Sequence, residues 1–167
     1  RKALSESGQR LLPHCSDLPF AEARLILERE GKFLLRSAGD SWQLLGTQST
    51  IDDPGGQSVT AKLISQLETA LLDSYGLEIP WMSYVGDYAG TDGIKRVFAH
   101  TDEEAFCTEI GREFLWADRT EVDRLAHGGM LSNDDANAIR TWSQESYLRG
   151  IGESAERAKS AARNFST

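Results

Sequence analysis

One run of helical periodicity, set between segments of strand character, constrains this chain more than any other feature. Leu63, Ile64, Leu67, Leu71 and Leu72 recur at three- and four-residue spacing, which places them on one side of a helix. Ser58 can cap its start and Gly76 can stop it, with Leu77 giving the hydrophobic contact past the end. The spacing predicts a helix over 58–75. Ahead of it, 47–58 (TQSTIDDPGGQS) is loop chemistry, with Pro54, Gly55 and Gly56 together. Earlier still, the apolar runs 23–29 and 32–36 are split by Glu30-Gly31 and predict a hairpin. Trp42 to Gly46 is a further short apolar segment.

Strand signals return after Pro80, at 81–88, 94–100, 105–109 and 113–117. Asp118-Arg119-Thr120-Glu121 then opens a helix to about Leu125, and His127-Gly128-Gly129 ends it. Ser132-Asn133-Asp134-Asp135 caps another, with Ala136, Ile139, Trp142 and Tyr147 or Leu148 on its apolar side. Residues 153–164 (ESAERAKSAARN) favour a helix but carry almost no apolar stripe, which suits a solvated tail or a helix that docks on a partner. This order predicts an α+β domain. The boundaries read as a lead-in at 1–19, a domain at 20–148 and a helical tail at 149–167.

The 167 residues suffice for one domain. Acidic residues outnumber basic ones 26 to 18, for a net charge of -8, which argues against a broad grip on duplex nucleic acid or an anionic membrane. It leaves room for a local basic pocket. No apolar run approaches the ~20 residues that span a bilayer, and the N-terminus lacks the apolar stretch of a signal peptide. The first residue is Arg1 rather than Met, so trimming or a longer parent chain is expected. Cys15 and Cys107 form no close pair, so neither a disulfide scaffold nor a cysteine zinc site is expected, and a cytoplasmic location is.

Three pieces in order resemble the Nudix superfamily. They are Trp42-Gln43-Leu44-Leu45-Gly46, then Asp52-Asp53-Pro54-Gly55-Gly56-Gln57-Ser58, then a helix ending Leu71-Leu72-Asp73-Ser74-Tyr75-Gly76-Leu77. In that family a strand end and glycine loop lead into a helix carrying R-E-x-x-E-E-x-G. Arg112-Glu113-Phe114-Leu115-Trp116-Ala117, followed by Thr120-Glu121-Val122-Asp123-Arg124-Leu125, resembles the family's late strand and the helix behind it. The resemblance spans about 20–148. It implies an α/β/α sandwich with a mixed sheet, a long Nudix helix and C-terminal helices. It also implies hydrolysis of a nucleoside diphosphate linked to another moiety.

Such a reaction needs Mg²⁺ or Mn²⁺ to neutralise the diphosphate, and hard cations need oxygen ligands. The spacing E-x-x-E-E supplies them on one side of a helix. Here the matching positions hold Thr69 for the arginine, Ala70 for the first glutamate, and Asp73 and Ser74 for the pair. Gln57 stands where the family's loop has glutamate. The helix is also longer by about four residues, close to one full turn, so its sides keep their phase while the ligands are lost.

The candidate site follows from that resemblance and from the residues around it. Asp73, with Asp53 of the loop, is the candidate metal set. Asp73, Glu103 and Glu104 are the candidate catalytic carboxylates, although Glu103-Glu104 reads equally as a solvated turn. Candidate ligand contacts are Arg36, Trp42, Gln57, Tyr88 and Arg96; strand alternation allows only one of Lys95 and Arg96 to face a given pocket. Three functions stay open. The domain has lost its metal ligands and binds a nucleotide- or diphosphate-type ligand or a protein. Alternatively, it remains a divergent Mg²⁺- or Mn²⁺-dependent hydrolase. In the third, it is an interaction module whose C-terminal helix docks on a partner or on a second copy as a homodimer.

Overall fold

The computed structural model describes residues 10–11, 20–48, 59–89, 93–101, 113–145 and 148. Its strands are β1 (Arg10–Leu11), β2 (Phe20–Arg29), β3 (Lys32–Ala38), β4 (Ser41–Gln48), β5 (Ser83–Ala89), β6 (Ile94–Thr101) and β7 (Phe114–Ala117). The helices are α1 (Val59–Tyr75), α2 (Arg119–His127) and α3 (133–145). One sheet runs β1-β5-β6-β2-β4-β3-β7. The β2–β6 pairing is parallel and the other ladders are antiparallel. Arg10–Leu11, inside the segment read as a lead-in, thus joins the sheet beside β5. The expected strand at 105–109 and the expected helix at 153–164 lie outside the described residues.

Helix α1 covers one side of the sheet. Leu63, Leu67 and Leu71 are fully buried against Ala23, Leu25, Leu27, Leu45 and Phe98. Each fully buried leucine stabilises the fold by roughly 1.5–3 kcal/mol relative to an exposed one. Gly76, at φ 65°, turns the chain out of the helix, Gly76 N–H donates to Leu72 O, and Leu77 is buried beyond it. Helices α2 and α3 cover the other side through Val122, Ala136, Ala138, Ile139 and Trp142, which pack on Ile26, Leu35, Leu44, Val85, Val97 and Ala99. The result is the three-layer α/β/α sandwich with a mixed sheet.

The hairpin is present but brief. Glu30 and Gly31 both take positive φ, 52° and 78°, as a tight two-residue turn between right-twisted strands requires. Beyond it β2 and β3 pair only at Glu28↔Phe33 and Arg29↔Lys32. They then part, and β4 enters between them, pairing with β2 from Leu25↔Leu45 to Glu22↔Gln48 and with β3 from Leu35↔Leu44. Where β4 enters, side chains serve its backbone. Leu44 N–H donates to Asp135 Oδ2 at 3.2 Å, and Arg24 Nη1 donates to Leu44 O at 3.2 Å.

Asp135 is 1% exposed and belongs to an ion cluster under the start of α3. Lys95 Nζ lies 2.6 Å from Asp134, 3.1 Å from Asp135 and 3.7 Å from Glu22, and Arg24 pairs with Glu22 at 3.1 Å. Ser132 caps the helix, its carbonyl accepting from Ala136 N–H at 3.0 Å. Burial works to raise the Asp134 carboxyl, but the charge and hydrogen bond of Lys95, the Ser132 hydroxyl and the Asp135 N–H hold it below its ordinary value. Burial likewise works to lower Lys95, and the charges of Asp135, Asp134 and Glu22 hold it above.

Two outcomes follow. Removing one member of a buried ion set leaves the others uncompensated, so Asp135→Ala is expected to cost about 3–5 kcal/mol in urea unfolding. A depressed carboxyl contributes stability that is present above its unfolded value and lost as pH falls through its folded value. Acid is therefore expected to weaken the fold below about pH 4, and Lys95→Met is expected to flatten that acid limb in a series of unfolding curves.

Candidate functional site

The sheet sorts the candidate residues by strand parity. On β3, Leu34 packs under α1 while Leu35 packs under α3, so Arg36 returns to the α1 side. There Arg36 Nη1 donates to the hydroxyl of Tyr75, the last residue of α1. Across the ladder Arg36 faces Gln43 of β4 on one side and Phe114 of β7 on the other. With its amide oxygen turned inward, the orientation that satisfies the hydrogen bonds, Gln43 accepts from Arg36 Nε and Nη2 at 2.7 Å each. The Tyr75 ring meets Phe114 edge-on, with centroids 5.6 Å apart. Arg36, Tyr75, Gln43 and Phe114 thus form one half-buried cluster at the C-terminal end of α1.

Arg96 is also on the α1 side, at the other end of the helix. Its Nε and Nη2 donate to both oxygens of Asp87 at 2.7 and 2.8 Å, and its Nη1 donates to Thr60 Oγ1 at 2.9 Å. Its guanidinium also lies 5.3 Å from the centre of the Tyr84 ring. The bond to Asp87 holds the guanidinium above its ordinary value. Thr60 and Tyr75 are fifteen residues apart on a helix rising ~1.5 Å per residue, so the two arginines are anchored at points roughly 20 Å apart.

Tyr88 and Trp42 face the opposite layer. Tyr88 is fully buried, with its hydroxyl 3.4 Å from Thr141 of α3. Trp42 packs partly buried beside the α3-side core, and its backbone N–H donates to Met130 O at 2.7 Å. Lys95 and Arg96 do fall on opposite sides, as alternation requires, Lys95 among the carboxylates under α3. Glu28 also lies toward α3; burial pushes its carboxyl up against an opposing bond from Trp142.

On α1, Asp73 and Ser74 are exposed and Ala70 is half-buried. At ~100° per residue, Asp73 projects about 160° away from Tyr75 around the helix. Asp73 and the Arg36 cluster therefore leave different flanks of α1. Asp53, Gln57, Glu103 and Glu104 lie outside the described residues. Among the described residues, no group of three or more His, Cys, Asp or Glu could hold a metal ion. One exposed aspartate does not meet the six-oxygen demand of Mg²⁺, so the described residues do not fit the cation.

The sequence matches no known family model and no curated protein. Solved structures do match it. The E. coli ORF135 protein aligns at 19% identity and a TM-score of 0.54, over 77% of this chain and 91% of that one. The C-terminal domain of mouse MUTYH, solved in complex with human PCNA, aligns at 14% identity and 0.56, over 75% and 88%. A Nudix hydrolase from Nitrosomonas europaea aligns at 12% identity and 0.51, over 76% and 90%. The chain has the Nudix hydrolase fold.

Helix α1 starts within one residue of the position that the sequence spacing predicts and ends where it predicts. What the reading missed is the company Arg36 keeps. Gln43 and Tyr75 were legible as polar residues near strand and helix ends, but their meeting at Arg36 depends on β4 lying beside β3. Arg96→Met is expected to destabilise the protein by about 2–3 kcal/mol, leaving the buried Asp87 carboxylate without its partner. Thermal unfolding checks this, and Arg36→Met, which breaks only bonds to neutral partners, is expected to cost less.

Proposed function

We propose that this Nudix-fold domain binds a nucleotide- or diphosphate-type ligand and hydrolyses it weakly or not at all. The observation that supports this is the chemistry of α1. Where the resemblance implies a cluster of carboxylates, the helix offers Ala70, an exposed Asp73 and Ser74. A diphosphate carries charge that a hydrolase of this type must neutralise with divalent cations. A lone aspartate leaves most of that coordination to the ligand itself.

Arg36 is the anion contact in this reading. Lys95 and Arg96 are each neutralised by carboxylates in the fold. Among the described residues, the partners of Arg36 are a phenol and an amide, which take hydrogen bonds but leave its charge uncompensated. A guanidinium so placed suits a phosphate group. The interaction-module reading keeps one observation in its favour: Trp81, just ahead of β5, and Tyr84, within it, expose 48% and 43% of their surfaces. Among proteins of similar fold, the MUTYH domain was solved bound to a protein partner.

The test is turnover. Purified protein is incubated with Mg²⁺ or Mn²⁺ and a panel of nucleoside-diphosphate derivatives, and phosphate-containing products are followed by anion chromatography. Turnover far below 1 s⁻¹, at the low edge of ordinary enzymes, and unchanged in Asp73→Ala, is the expected result. Rapid turnover abolished by Asp73→Ala would establish the hydrolase reading instead.

A further inference from the structure

The Arg36 cluster contains two residues that nothing in the helix motif accounts for. A guanidinium has five N–H donors in a fixed plane. Three are engaged here: Nε and one N–H of Nη2 with the Gln43 carbonyl oxygen, and one N–H of Nη1 with the Tyr75 hydroxyl. Among the described residues, one N–H on each terminal nitrogen is left. Each terminal nitrogen therefore keeps a charged donor that a phosphate oxygen can accept from. Both partners are fixed in turn. Gln43 is held opposite Arg36 by the β3–β4 register, and the Tyr75 ring is braced edge-on by Phe114.

We infer that Gln43 and Tyr75 are positioning residues, which hold the Arg36 guanidinium plane so that its two remaining donors meet a phosphate group. This rests on the proposed reading of Arg36 as the anion contact. Arginine side chains lose substantial rotamer freedom when they are pinned by a ligand. Here the pinning is done beforehand by two neutral acceptors, which fix the plane without cancelling the charge that attracts the anion. Carboxylate partners, as at Arg96, would fix the plane and cancel it. The choice of neutral partners distinguishes a receptor from a structural ion pair.

The experiment is a double-mutant cycle read by calorimetry with inorganic pyrophosphate at low ionic strength, with thermal unfolding in parallel. Tyr75→Phe and Gln43→Leu are each expected to weaken pyrophosphate binding about three- to tenfold, the range for one lost hydrogen bond. Arg36→Lys keeps the charge but not the planar guanidinium. In that background, Tyr75→Phe is expected to have no further effect, which a purely structural role for Tyr75 would not produce. If wild-type protein does not bind pyrophosphate, the anion-contact reading falls and this assignment with it. If wild type binds, Arg36→Lys weakens binding, and both Tyr75→Phe and Gln43→Leu bind as wild type does, the positioning assignment alone is overturned. An equal loss from Tyr75→Phe in both backgrounds overturns it as well. Should Tyr75→Phe fail to fold, Gln43→Leu alone and combined with Arg36→Lys gives the same decision.

Discussion

Lys95 fastens the two halves of this molecule together. Its ammonium reaches from β6, at the centre of the sheet, to Asp134 and Asp135 at the start of α3 and to Glu22 of β2. Asp135 in turn accepts the backbone N–H of Leu44, at the point where β4 enters between the two strands of the hairpin. That entry creates the order β2-β4-β3, and it brings Gln43 beside Arg36. The half-buried cluster at the far end of α1 is therefore set up by a buried ionic knot on the opposite side of the sheet. Such knots contribute little net stability when complete and cost a great deal when one member is lost. Their value here lies in fixing where β4 and α3 go.

One arginine is treated differently from the other buried and half-buried cations. Under α3, opposite charges are matched within the protein and removed from water. At the N-terminal end of α1, Arg96 is matched by Asp87 in the same way. At the C-terminal end, Arg36 is held by groups that orient it and leave its charge. A protein with a net charge of -8 repels anions at long range, so an anion site on it must act at contact distance with fixed geometry. The Arg36 cluster has that character.

Much of the local structure was legible in the sequence. Leu63, Leu67 and Leu71 announce α1 because a helix is closed within its own segment, and Gly76 and Asp118 mark element ends through backbone and capping chemistry that needs no distant partner. The sheet order was not legible. Reading 23–36 as a hairpin is right at Glu30-Gly31 but hides that β2 pairs mainly with β6 and β4, contacts that span many residues of sequence. The scatter of the candidate ligand residues has a similar origin. Tyr84 and Tyr88 share parity on a regular strand, yet the register shift between Tyr84 and Gly86 sends Tyr84 toward α1 and Tyr88 toward α3. Asp134 and Asp135 read as a helix cap, and their second role appears only when Lys95 is brought beneath them.

The proposed function rests on a helix α1 too poor in carboxylates to hold a divalent cation by itself. The decisive measurement is a titration with Mn²⁺, counting free ion by electron paramagnetic resonance, in wild type and in Asp73→Ala, with and without pyrophosphate. No tight site in the protein alone, and identical curves for the two proteins, is the expected result. One or more tight Mn²⁺ sites in wild type without pyrophosphate, lost in Asp73→Ala, would contradict it.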